Sequence, residues 1–177
     1  VDLSPLTAPA PQPELTFEVR RPIAASAADL WREMERPGHL VDVHPFCARN
    51  VPERWPGEGS RDAVHFHNGR VLWRNFTTWE AERGYTVVVT DARDKRLIVA
   101  WFGIDPGPDP SRCEMVIRVT DLNPLGLPRA LRPLAWRAWQ RPLLAYYFGA
   151  VLKGFEYRLT TGGRVRPNQF GRHPQYS

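Results

Sequence analysis

Long apolar runs are missing from this chain of 177 residues. Charge interrupts each of them well short of the ~20 residues that cross a bilayer, which excludes a transmembrane helix. Cysteine is scarce: Cys47 and Cys113 are the only two, too few for a disulfide framework. Lysine is nearly absent, since Lys95 and Lys153 are the only examples and 22 of the 24 positive charges are arginine. Arginine is planar and weakly hydrated, so it tolerates partly buried or anion-facing positions better than lysine does. Acid is missing from one part of the chain. From Arg129 onward there are nine basic residues and a single acid, Glu156, a net of +8. Residues 1–128 hold 15 basic and 18 acidic residues, so the overall +5 is confined to the last 49 positions. Nucleic acid is therefore not an expected partner: acids dominate the longer segment and no recognised binding motif is present.

What is there is the material of one globular domain, with 42% hydrophobic residues. Residues 1–14 hold Pro5, Pro9, Pro11 and Pro13 and read as an extended leader. No basic region followed by an apolar stretch marks it as a signal peptide, and a cytoplasmic location is expected. Leu15 to Val19 alternates as a strand, with Pro22 ending it. Ser26 is placed as an N-cap with Asp29 three residues on, opening a helix through Leu30, Trp31 and Met34 that stops near Pro37-Gly38. A short helical turn and a strand over 47–51 fit the next stretch. Strands are expected over 61–67, 70–80, 84–91, 96–104 and 112–121, joined by turns, which excludes a parallel βαβ sheet. After Asn123-Pro124 the period becomes helical. One segment covers Arg129 to Gln140, and Pro142 separates it from a longer helix to about Leu159. Leu144, Phe148, Val151, Phe155 and Leu159 form one apolar stripe, and Thr161-Gly162-Gly163 stops it. A basic tail, 161–177, follows.

This order of elements resembles the START-like (SRPBCC) superfamily, which includes pollen-allergen-type binders, lipid-transfer domains and polyketide cyclase/dehydrase-like proteins. The resemblance is carried by Phe17-Glu18-Val19 followed by Ala27-Ala28-Asp29-Leu30-Trp31, by Gly69-Arg70 with Trp79 and the Gly84 turn, and by Val151-Leu152-Lys153-Gly154-Phe155-Glu156. It covers residues 15–160. It implies an α+β helix-grip fold, a curved antiparallel sheet wrapped around a long helix with an apolar cavity between them. It also implies a hydrophobic or aromatic small-molecule ligand, with cyclase- or dehydratase-like activity as an extension.

Asn68-Gly69 is a two-residue hairpin signal. Such a turn pairs Phe66 with Val71, Val64 with Trp73 and Asp62 with Asn75. Of the two faces of the second strand, that of Val71, Trp73, Asn75, Thr77 and Trp79 holds no charge, so it is expected to face the helix. Asp62, Val64 and Phe66 then point inward, and His65 and His67 outward. Met115 and Ile117 are expected inward on the last strand. Trp101 and Phe102 lie on opposite faces and one of them lines the cavity. With Tyr147 and Val151 from the helix, the expected ligand-binding residues are Asp62, Val64, Phe66, Trp73, Asn75, Trp101, Met115, Ile117, Tyr147 and Val151.

Asp62 and Asn75, paired inward, are suited to orient a ligand hydroxyl or carbonyl, and Asp62 to serve as a general base. His44 is the other catalytic candidate, as the activator of Cys47. A lone cysteine is more often a small buried hydrophobe. His44, Cys47, His65 and His67 also suggest a metal set, but His65 and His67 point away from the cavity, Arg70 abuts His67, and nothing brings His44 near them. No metal and no cofactor are expected. Finally, Trp136, Trp139, Tyr146 and Tyr147 interleave with Arg132, Arg137 and Arg141. This pattern suits a helix packed on its own domain with a solvated arginine face, or a peripheral contact with anionic membranes through residues 129–147.

Overall fold

A computed structural model describes residues 15–122 and 131–177. The leader 1–14, Asn123-Pro124 and the start of the expected helix at Arg129 lie outside the described residues. Seven strands form one antiparallel sheet: β1 (Thr16–Ile23), β2 (Cys47–Arg54), β3 (Arg61–Phe66), β4 (Val71–Glu80), β5 (Gly84–Thr90), β6 (Arg96–Pro106) and β7 (Cys113–Asp121). Their order is β1-β7-β6-β5-β4-β3-β2, so consecutive strands neighbour one another from β2 to β7 and β1 closes against β7. Pro22 does not end β1. It pairs with Glu114 near the end of an edge strand, where a missing N–H is tolerated.

Two short helices fill the β1–β2 connection. Helix α1 (Ala27–Met34) begins where the Asp29 amide donates to Ser26 Oγ at 3.1 Å, and it buries Leu30, Trp31 and Met34. Helix α2 (Leu40–Val43) follows. After the sheet come α3 (Arg132–Ala135), a π-helical turn over Trp136–Gln140, and the long helix α4 (Arg141–Thr161). These run on without the break expected at Pro142. The Arg141 amide bonds to the Trp136 carbonyl five residues back, and this wider turn gives the Pro142 ring room that a regular α-turn lacks.

Helix α4 lays its stripe on the concave face of the sheet, burying Phe148, Val151 and Phe155. On the flank of that stripe α4 meets α2 at Gly154, where an added Cβ would stand 1.7 Å from the Val43 carbonyl oxygen. Only a residue without a side chain lets the two backbones approach this closely.

The β3–β4 hairpin differs from expectation by one residue. Val64 pairs with Leu72, Asp62 with Arg74 and Arg61 with Asn75. The Phe66 amide bonds to the Arg70 carbonyl, and the Gly69 amide to the Phe66 carbonyl, with Gly69 at φ +83°. The loop is thus three residues, His67-Asn68-Gly69, with glycine at the left-handed position, rather than a two-residue turn. A one-residue slip reverses the side chains of β4 as far as Phe76. Leu72, Arg74 and Phe76 are buried, and Trp73 and Asn75 lie on the outer face. A bulge between Phe76 and Thr78 restores the expected face for Trp79, which packs on Trp31 and Tyr85.

Candidate functional site

Between α4 and the concave face lies a cavity whose walls are mostly apolar. Val64 and Phe66 of β3, Leu72 of β4, Ala100 and Phe102 of β6 and Phe148 and Val151 of α4 contribute, with Leu40 from α2. The free room inside is about 70 Å³. That admits a few waters but falls short of the ~300–1,000 Å³ of pockets that enclose a drug-sized ligand.

Four side chains with polar atoms break this apolar wall: Arg74, His44, Tyr147 and Tyr176. Alternation along β4 aims Arg74 inward, and its guanidinium is held in a two-point ion pair by Asp62 of β3. Arg74 Nε donates to Asp62 Oδ1 at 2.9 Å. Asn50 on β2 donates through Nδ2 to Asp62 Oδ2 at 2.9 Å, completing the carboxylate's shell. Arg74 is 5% exposed and Asp62 1%, so the charges are stable there only because they are paired. Burial lowers the Arg74 pKa, but the Asp62 charge and hydrogen bond outweigh it and hold the pKa above the usual value. Tyr85 sits within the field of this pair, and burial pushes its hydroxyl up to about 12.

His44 caps the end of α2 and faces α4. Its Nδ1 accepts from the Phe46 amide at 3.2 Å, which leaves the proton on Nε2. Nε2–H then donates to the Tyr147 hydroxyl at 2.7 Å. Tyr147, having accepted from His44, keeps its own O–H to donate elsewhere. Burial, helped by the Arg74 charge, pulls His44 down to about 3, so the imidazole is neutral. Burial holds the Tyr147 phenol well above its ordinary range, so it stays protonated.

Among the expected ligand-binding residues, Val64, Phe66, Tyr147 and Val151 lie on the cavity wall. Asp62 stands behind Arg74. Met115 and Ile117 are fully buried in the core but do not reach the cavity. Three residues lie on the outer face instead. Trp73 donates to Glu53 Oε1 at 3.2 Å and carries Arg61 over its ring. Asn75 donates to the Val88 carbonyl at 3.1 Å, not to Asp62. Trp101 stacks under Arg118, and Phe102 is the inward member of that pair. The rule that a charge-free face turns inward failed because Arg74, the charge that the other face carries into the interior, is paired with Asp62. An inward Asp62 already required a cation opposite, and that requirement favours the register bringing Arg74 to it. Leu72, Ala100 and Tyr176 were also missed.

Cys47 is 3% exposed and burial pushes its thiol up to about 12, so it is not an activated nucleophile. Its neighbour His44 is committed to Phe46 and Tyr147. Among the described residues no three of His, Cys, Asp or Glu converge on a point.

An antiparallel sheet curved around one long helix, with a cavity between them, recurs in solved structures. The fold is the helix-grip fold. The di-domain ARO/CYC StfQ from the steffimycin biosynthetic pathway matches with a TM-score of 0.64 at 14% identity over 83% of this chain, which spans 51% of that protein. Protein Ms6760 from Mycobacterium smegmatis matches at 0.61 and 10% identity over 84% of this chain and 93% of its own. Ara h 8.0201 matches at 0.58 and 12% identity over 82% and 97%. At such identities the likeness of these helix-grip proteins is one of fold. No family model matches the chain, and no curated protein matches it. No helix among the described residues is long and apolar enough to cross a membrane.

Proposed function

We propose that this helix-grip protein binds a hydrophobic, aromatic small molecule between its sheet and α4, with an oxygen of the ligand directed at Arg74 and Tyr147. The observation that carries this reading is the wall itself: an apolar enclosure in which Arg74 is a paired cation and Tyr147, held by His44, is a phenol with a proton to give. Both groups favour an electron-rich oxygen, and neither requires reorganisation to meet it. Cyclase- or dehydratase-type chemistry develops negative charge on a carbonyl oxygen, and the same two donors suit it. The fold shared with StfQ supports this extension. In such chemistry His44 is a positioning residue that fixes the Tyr147 hydroxyl, and Asp62 fixes Arg74. Native mass spectrometry of the purified protein should reveal a co-purifying aromatic compound, released on denaturation. A ligand whose affinity is the same for Arg74→Met and the unaltered protein would remove Arg74 from the site.

A second reading rests on a separate surface. Leu134 is 70% and Trp139 64% exposed beside the exposed Arg137 and Arg141, while Trp136 is buried. Apolar side chains flanked by arginine complement an anionic lipid surface, where the protein would collect or deliver its ligand. Co-sedimentation with phosphatidylserine-containing vesicles at low salt is expected, and loss of it in Trp139→Glu. Absence of binding to those vesicles would remove this reading.

A further inference from the structure

The cavity is too small for the ligand class its wall suits, so a part of that wall has to leave. Most of the wall cannot leave cheaply. The β3, β4 and β6 side chains are held by strand pairing on both sides, and the α4 side chains belong to a 21-residue helix. One wall residue is different. Tyr176 lies beyond α4, in a segment that pairs with no strand, and yet its ring is buried among cavity residues. Its centroid is 4.5 Å from that of Phe66 and 4.8 Å from that of Tyr147, and the Arg70 guanidinium covers it at 5.2 Å.

The segment around it is bonded largely to itself. The Tyr176 and Ser177 amides donate to the His173 carbonyl, the Gln175 amide to His173 Nδ1, and the His173 amide to Ser177 Oγ. Its links to the rest of the domain are few. Asn68 Nδ2 donates to the Gln175 carbonyl at 2.7 Å, His173 Nε2 donates to the Leu143 carbonyl at 3.3 Å, and Ser177 Oγ meets Asn168 Oδ1 at 2.6 Å. His173 itself is buried, stacks on Tyr146, and meets Tyr147 edge-on and Phe46 at a tilt. A self-bonded unit with few outward hydrogen bonds can separate without breaking a strand pairing or a turn of α4.

We propose that residues 172–177 are a displaceable plug, and that Tyr176 holds the place of an aromatic ring of the ligand. Ligand entry expels the tyrosine from between Phe66, Tyr147 and Arg70, and a phenol or other electron-rich ring of the ligand takes that position. The reading rests on the cavity being the binding site. It adds the ligand class at the mouth, an aromatic ring small enough to lie where Tyr176 lies. It also adds a consequence for affinity: a plug that is mostly closed lowers the apparent affinity in proportion to the open fraction.

The test titrates the full chain and Tyr176→Ala with 8-anilinonaphthalene-1-sulfonate and follows amide hydrogen exchange of the unaltered protein at saturating probe. The variant is expected to bind one probe about tenfold more tightly. In the unaltered protein, exchange at the Tyr176 and Ser177 amides is expected to accelerate by about tenfold or more on saturation. Equal or weaker binding by the variant overturns the plug, as does unchanged protection of those two amides, a readout that needs no variant to fold. If both proteins bind the probe equally, the cavity reading survives and the plug alone falls. If neither binds, the cavity reading falls and takes the plug with it.

Discussion

Asp62 and Arg74 carry opposite charges into an apolar interior from neighbouring strands, and Asn50 completes the carboxylate's shell. Removing one partner strands the other. Asp62→Ala is expected to lower unfolding free energy by ~3–5 kcal/mol. The double variant Asp62→Leu/Arg74→Met should lose less than the two single changes added together, as read by urea unfolding. Simple additivity would mean the two charges do not stabilise each other. The buried histidines make a pH prediction. Burial keeps His39 well below its ordinary value and brings His44 to about 3. The unfolded chain therefore binds more protons than the folded one below about pH 6.5. Their neutral burial costs nothing above that pH. As pH falls toward 3, stability is lost at up to about 1.4 kcal/mol per unit for each histidine. The urea midpoint should drop between pH 7 and pH 5, and by less in His44→Gln. A midpoint that does not move over that range contradicts the neutral assignment.

At the scale of elements, Gly154 fixes how α4 meets α2. Gly154→Ala places a methyl against a backbone oxygen that cannot rotate away, and the expected loss is about 3 kcal/mol or more, measured as a fall in Tm. Stability within about 0.5 kcal/mol of the parent would mean that the helices separate easily. Most elements were legible in the sequence because each carries a local signal: alternation in the strands, Ser26 at the head of α1, the apolar stripe of α4. The hairpin register was not, because Asn68-Gly69 fits a two-residue turn and a three-residue turn equally well. The two differ by a single position, and that position decides whether Arg74 or Asn75 enters the cavity. The bulge after Phe76 carries no signal of its own, yet it alone returns Trp79 to the core. Pro142 reads locally as a break, but the π-helical turn before it absorbs the ring.

In the whole molecule the basic segment after residue 128 is not an appendage. It supplies the long helix, the exposed arginine and tryptophan face, and the stretch that folds back to bring Val165, His173 and Tyr176 into the interior. Tyr147 and Val151 could be placed from pattern and resemblance because they lie on a regular helix with a buried face, whereas the sequence places Val64 and Phe66 inward through a pairing with Trp73 and Val71 that the structure replaces. Tyr176 could not, since no periodicity marks a residue whose burial depends on a segment returning over the mouth of a cavity built from the sheet and α4. Function in this molecule turns on that cavity being where a ligand goes. The most direct measurement is a titration of the full chain and of Ala100→Leu with 8-anilinonaphthalene-1-sulfonate. Ala100 is fully buried on the wall, so a leucine there fills the cavity without touching the surface. One probe should bind the unaltered protein, and the leucine variant, still folded by its circular dichroism, should bind about tenfold or more weakly, a difference of about 1.4 kcal/mol. Equal affinity in the two proteins would contradict the assignment of the site.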